Sequence, residues 1–174
     1  DTGIILAIGE WVLREACTEA ARWHLAEPAA HNLDVHVNLS TRQFQQPDLV
    51  EQVQIALSSS GLAAHRLCLE ITETAVVDDM TKAPETLRQL KSLGIKVALD
   101  DFGVGYSSLS DLRRLPVDVL KLDKSFIDPL GESSEDSAVV MAVINLARAL
   151  GLMVVAEGVE SELQRRELRA LGCT

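Results

Sequence analysis

Five short apolar runs, each broken off by a polar residue and each followed by a segment of helical spacing, restrict this chain more than any other feature. The runs are residues 33–37, 66–69, 96–99, 119–122 and 152–156. The segments that follow them are 47–60, 82–93, 106–115, 137–150 and 161–171, most of them closed by Gly or Pro. A further helix precedes them: Ile8, Val12, Ala16, Ala20 and Trp23 recur at helical spacing, with Trp11 and Trp23 read as packing residues. Strands that alternate with helices of this length must run parallel, because each crossover returns the chain to the same end of the sheet. The expected fold is α/β, with five βα units. A closed barrel of eight such units typically takes ~250 residues, so 174 residues allow only part of one.

Each run delivers polar residues at its C-terminal end: Asn38, Glu70, the pair Asp100-Asp101, Lys121 with Asp123, and Glu157. Ligands of parallel α/β sheets bind at that end. Two adjacent carboxylates repel unless a positive charge lies between them, and a divalent cation bound by hard oxygens supplies it. His24, His31, His36 and His65 show no metal spacing and are read as surface or core side chains. All-oxygen ligation favours Mg²⁺ or Mn²⁺. Asn38, Glu70, Asp100, Asp101 and Glu157 are enough ligands for two ions, one of them bridged by Asp100. Two ions about 3.5–4 Å apart suit in-line displacement at phosphorus. Lys121 is open to two readings, a partner for phosphate or water and a salt bridge with Asp123. The same pattern also describes proton abstraction next to a carboxylate with one Mg²⁺, although an adjacent Asp pair fits two ions better.

Composition excludes other classes. A formal net charge of -10 argues against a sequence-independent grip on DNA or RNA, which needs a basic surface. No apolar run is long enough to cross a bilayer, so a cytoplasmic location is expected, including that of the cytoplasmic part of a membrane-anchored parent. Cys17, Cys68 and Cys173 are odd in number and are read as free thiols of a reducing compartment.

Five segments in order then resemble a known family. They are Val37-Asn38-Leu39-Ser40, Leu69-Glu70-Ile71-Thr72-Glu73, the run from Asp100 through Phe102, Gly103, Gly105 and Ser107 to Ser108, Leu120-Lys121-Leu122-Asp123, and Ala156-Glu157-Gly158-Val159-Glu160. Together they resemble EAL domains, bacterial phosphodiesterases that hydrolyse cyclic di-GMP to linear pGpG. The resemblance implies a modified (β/α)₈ barrel. It implies metal ligation by Asn38, Glu70, Asp100, Asp101 and Glu157, a catalytic Lys121, and a supporting Asp123. Glu73 then steadies the Asp-Asp loop, Glu160 stands beside the metal-binding glutamate, and residues 102–108 link the metal site to a homodimer. An upstream sensor or cyclase-like domain is the implied partner within the parent protein.

The family's Glu-Ala-Leu motif does not occur in this chain, nor does the Gln-Gly segment expected after Cys173. Residues 1–174 are therefore expected to be an excerpt of one domain, since a barrel lacking its terminal strands would leave sheet edges bare. The alternative to hydrolysis is a receptor that binds cyclic di-GMP without cleaving it. A purely structural role would leave clustered acids with no ligand.

Overall fold

The computed structural model describes residues 3–27, 30, 32–104, 109–130 and 134–173. Five parallel strands, β1 (Val35–Leu39), β2 (Leu67–Thr72), β3 (Lys96–Phe102), β4 (Val119–Leu122) and β5 (Met153–Ala156), pair in the order in which they occur. A doubly wound sheet reverses its strand order partway across and carries helices on both faces. Here the order never reverses, and one face of the sheet carries the helices, which is the arrangement of a barrel wall.

That face is built from Val37, Leu39, Leu67, Leu69, Ile71, Val97, Leu99, Leu120, Leu122 and Val154, packed in one core with the helices. Full burial of a Leu, Ile or Val contributes about 1.5–3 kcal/mol, so this face dominates the packing. Strand alternation sends the intervening residues to the opposite face. There only Cys68, Ala98 and Val119, with Val155 against them, form a small apolar floor. Above that floor the same face carries the polar strand-end residues.

The helices are α1 (Ile4–Ala26), α2 (Thr41–Phe44), α3 (Leu49–Ser60), α4 (Glu73–Val77), α5 (Ala83–Ser92), α6 (Leu109–Leu112), α7 (Lys124–Ile127), α8 (Ser134–Ala149) and α9 (Glu162–Leu171). The short ones, α2, α4 and α7, directly follow strands and are capped by Ser40, Thr72 and Asp123. Such caps satisfy amide hydrogens that the first helical turn leaves free.

Three expectations are corrected. The apolar stripe of α1 is not the one the spacing suggested: Leu13, Cys17, Ala20 and Ala21 are buried, while Ile8, Trp11, Val12 and Trp23 are exposed. The reason lies at Gly9, where a Cβ would sit 2.1–2.4 Å from the Gln43 amide. That approach turns the Leu13–Cys17 side of α1 to the core. The helix expected over residues 106–115 is shorter. Within the described residues it ends at Leu112, and hydrogen bonds from Arg114 N to Asp111 O and from Leu115 N to Leu112 O tighten the chain ahead of Pro116. Finally, β3 does not stop at the acidic pair but runs through it to Phe102.

Ion pairs tie down the N-terminal ends of the strands. Asp118 pairs with Lys91 and accepts a hydrogen bond from Val97 N, and Asp34 pairs with Lys96 and Arg66. The opposite end of the sheet is left to the polar cluster. All three cysteines are buried thiols outside any disulfide, and burial raises those of Cys17 and Cys68 to about 11 and about 12.

Candidate metal and phosphoester site

Lys121 is the hub of the site. It is 7% exposed, and its Nζ lies 2.5 Å from Glu70 Oε2, 2.7 Å from Glu157 Oε1 and 3.0 Å from Asp100 Oδ1. β2, β3 and β4 each present one of these residues on the helix-free face, and Glu157 follows β5 directly. Burial alone would lower the lysine pKa, but hydrogen bonds to Glu157, Glu70 and Asp100 override it and raise it. Lys121 is therefore an ammonium. It pairs with these three rather than with Asp123, which instead caps α7 by accepting from Ser125 N at 2.9 Å.

The acidic pair owes its geometry to a bulge. Leu99 pairs with Leu120 and Phe102 with Leu122, so β3 takes three steps where β4 takes two. Asp101 sits in the bulge at φ 53°, the only positive φ at a non-glycine among the described residues. Asp tolerates this left-handed conformation better than most residues. In a regular strand, consecutive side chains point to opposite faces. The bulge breaks that alternation, and carboxylate oxygens of Asp100, Asp101 and Glu157 lie within 4.8 Å of one another. Burial, followed by the charges of Asp100, Asp123 and Glu157, raises the Asp101 pKa against the pull of Lys121. A carboxylate whose ionisation its neighbours oppose is one that a cation would stabilise.

Glu73 is 2% exposed and its Oε2 accepts from Gly103 N at 2.7 Å, anchoring the chain just past the bulge. Gly103 has φ 96°, and a Cβ there would come within 2.3 Å of the Phe126 ring on α7. Phe102 is buried in the main core. Gly105 and Ser107 lie outside the described residues. Asn38 is exposed on the same face, paired in register with Glu70. Glu160 is not part of the cluster. It pairs at the surface with Lys124, which holds its carboxyl below the usual range.

Two residues were missed by sequence reasoning. His36 lies on β1 with its Nδ1 2.7 Å from Glu70 Oε1, so it borders the site rather than being a bystander. Its position two residues before Asn38 on one strand was the available signal. Gln164 is buried, accepts from Glu160 N at 2.9 Å and donates to Ile127 O at 3.1 Å, fastening the segment after Glu157 to α7. The capping pattern of Ser161 and Gln164 marked that residue, though not its reach to α7.

The donor set fits divalent cations: Glu70, Asp100 and Glu157 converge on a single ammonium, Asp101 joins Asp100 and Glu157 in a second carboxylate group, all ligands are oxygens, and the geometry crowds like charge. Fold and site together define a parallel barrel-type domain with an acidic, cation-seeking mouth. The chain belongs to the EAL domain family, whose model matches residues 1–174. EAL domains have a TIM-like barrel fold, and this chain carries five consecutive βα units of it.

Among its relatives is MucR of Pseudomonas aeruginosa, described as a bifunctional diguanylate cyclase/cyclic di-GMP phosphodiesterase. It is 45% identical over 172 residues, which are 99% of this chain and 25% of MucR. The solved PaMucR phosphodiesterase in complex with c-di-GMP superposes with a TM-score of 0.93 at 44% identity, covering 99% of this chain and 69% of that one. A manganese/c-di-GMP complex of BlrP1 from Klebsiella pneumoniae is similar at a TM-score of 0.85 and 30% identity, over 97% of this chain and 42% of that one. The chain spans 20–25% of the length of the first curated relatives it matches.

Proposed function

We propose that this chain is part of a phosphodiesterase that hydrolyses cyclic di-GMP to linear pGpG with two Mg²⁺ or Mn²⁺ ions. The observation that carries the reading is the bulge that turns Asp100 and Asp101 toward Glu157, beside the Lys121 ammonium. Asp100, Asp101 and Glu157 would hold the ions, with Glu70 and Asn38 completing the set from the neighbouring strands. When bound, divalent ions supply positive charge at the phosphoryl group and acidify the attacking water.

Lys121 is an ammonium among these carboxylates, and in this reading its part is to carry charge to a phosphate oxygen. Glu157 is the most exposed of the three carboxylates around Lys121, at 39% of its side chain, and so the one most open to water and substrate. In this reading it orients the water and accepts its proton as a P–O bond forms to the water oxygen and one P–O ester bond breaks, the sugar oxygen leaving and taking up a proton to become a hydroxyl. In this reading Asp123 supports the site by adding to the negative charge around Asp101, which a bound cation would neutralise. Glu73 and the backbone around Phe102 and Gly103 keep the Asp pair in place.

We also read residues 1–174 as part of a single EAL domain in a multidomain signalling protein, able to form a homodimer that the segment 102–108 links to the metal site, and controlled by an upstream sensor or cyclase-like domain. Among the described residues, no helix is long and apolar enough to cross a membrane.

The test is turnover of cyclic di-GMP by the natural polypeptide in Mg²⁺ or Mn²⁺, with pGpG followed by anion-exchange chromatography and Asp101→Asn run in parallel. Metal-dependent product from the wild type, abolished in the variant, is the expected result. Tight binding in metal with no product over long incubation would replace hydrolysis by the receptor role.

A further inference from the structure

We infer that His36 is a positioning residue that sets the orientation of the Glu70 carboxylate for the cation site. The inference rests on the metal-dependent reading above and assigns a role to a side chain outside its ligand set. Glu70 is 6% exposed, and a buried carboxylate requires hydrogen-bond partners. It has one on each oxygen: Lys121 at 2.5 Å on Oε2 and His36 at 2.7 Å on Oε1.

The two partners differ in what they can enforce. Lys121 is shared among Glu70, Asp100 and Glu157, so its ammonium does not select one plane for any of them. Being a cation, it also competes with an incoming metal for the same oxygens. The His36 ring makes no hydrogen bond other than that to Glu70 among the described residues, and it approaches from β1, the side away from Lys121. With a metal held at Glu70, the His36 contact to Oε1 would remain available to restrain rotation of the carboxylate. A carboxylate oxygen that accepts one hydrogen bond keeps a lone pair for a metal. The contact needs only a hydrogen on Nδ1, which the imidazolium and one neutral tautomer both possess. Partners of metal ligands that act in this way typically contribute about 10–100-fold to metal affinity.

His36 is exposed, so its replacement does not open a core. The test is Mn²⁺ affinity by isothermal titration calorimetry on the natural polypeptide, for wild type and for His36→Ala, His36→Asn and His36→Gln. The Asn amide nitrogen takes the place of Nδ1, whereas the longer Gln places its nitrogen where Nε2 was. His36→Ala is expected to weaken Mn²⁺ binding by about 10-fold or more, His36→Asn to restore it to within about 3-fold of wild type, and His36→Gln to behave like Ala. Turnover of His36→Ala should recover toward wild type at saturating Mn²⁺, since the group acts through Glu70. Equal Mn²⁺ affinity in wild type and His36→Ala would overturn the role of His36 alone, as would Asn and Gln variants that both match Ala. A wild type that takes up no Mn²⁺ would overturn the metal reading and this role with it.

Discussion

Replacement of Gly103 by alanine tests how the acidic bulge is held. Two independent penalties meet at this residue. Its φ of 96° lies where L side chains are rarely found, and entering the left-handed region costs an alanine about 1–2 kcal/mol. Its Cβ would also lie 2.3 Å from Phe126 Cζ and 2.4 Å from Cε2, and forcing a group into packed space typically costs about 1–3 kcal/mol. Relief requires either that the Phe126 ring move or that the Gly103 amide leave Glu73, which would take a 2.7 Å hydrogen bond from a buried carboxylate. The sum is about 2–5 kcal/mol for Gly103→Ala, read by urea denaturation. A double-mutant cycle separates the parts. In a Phe126→Ala background the steric penalty disappears, so Gly103→Ala should there cost only about 1–2 kcal/mol. The coupling would then be about 1–3 kcal/mol of relief. The same loss in both backgrounds would refute the close approach of Phe126 to the bulge, and a loss below about 0.5 kcal/mol in the Phe126→Ala background would refute the backbone penalty.

Other consequences follow from the same packing and charges. Lys121→Met leaves Glu70, Asp100 and Glu157 without their shared counter-charge, and should destabilise the metal-free protein by about 3 kcal/mol in thermal unfolding, with Mn²⁺ recovering part of the loss. Gly9→Ala sets a helix-propensity gain of about 1 kcal/mol against loss of the α2 capping box, because the new methyl displaces the buried Gln43 amide, and should leave the protein about 1 kcal/mol less stable; urea denaturation with far-ultraviolet circular dichroism reads it. Asp34 gives a pH dependence. Burial pushes its pKa up, but hydrogen bonds and charge from Lys96 and Arg66 more than offset this and leave it below 3.8. A depressed carboxylate stabilises the fold fully above its unfolded pKa and ceases to as pH falls through the folded value. Asp34→Asn should therefore cost about 1 kcal/mol at pH 7, less in high salt because the partners are partly exposed, and the difference from wild type should vanish below the folded pKa. A difference that persists at pH 2 would point to packing instead of charge.

Much of the site was legible because the β period is local. Glu70, Asp100, Lys121 and Glu157 occupy strand ends that apolar runs announce, and alternation places them on the face that the helices leave bare. The family resemblance then agreed with the fold and with the family match. Less legible were features that depend on what packs across. Trp11 and Trp23 read as packing residues and are exposed, because the close fit of Gly9 on Gln43 rotates α1 toward the Leu13–Cys17 side. His36 has no metal spacing in the chain, yet it meets Glu70 across 34 residues of sequence.

By itself, the sequence determined the alternation of strands and helices, the parallel direction of the strands and the chemical character of the sheet's C-terminal end. Those properties follow from periodicity, helix stops and residue type, all of which act over a few residues. Tertiary structure alone decided which acids share Lys121, why adjacent Asp100 and Asp101 reach the same mouth, and which neighbours hold Glu70 and Gly103 in place. Each of these depends on register between strands: one extra residue in β3 relative to β4 turns a pair that would straddle the sheet into two groups on one side.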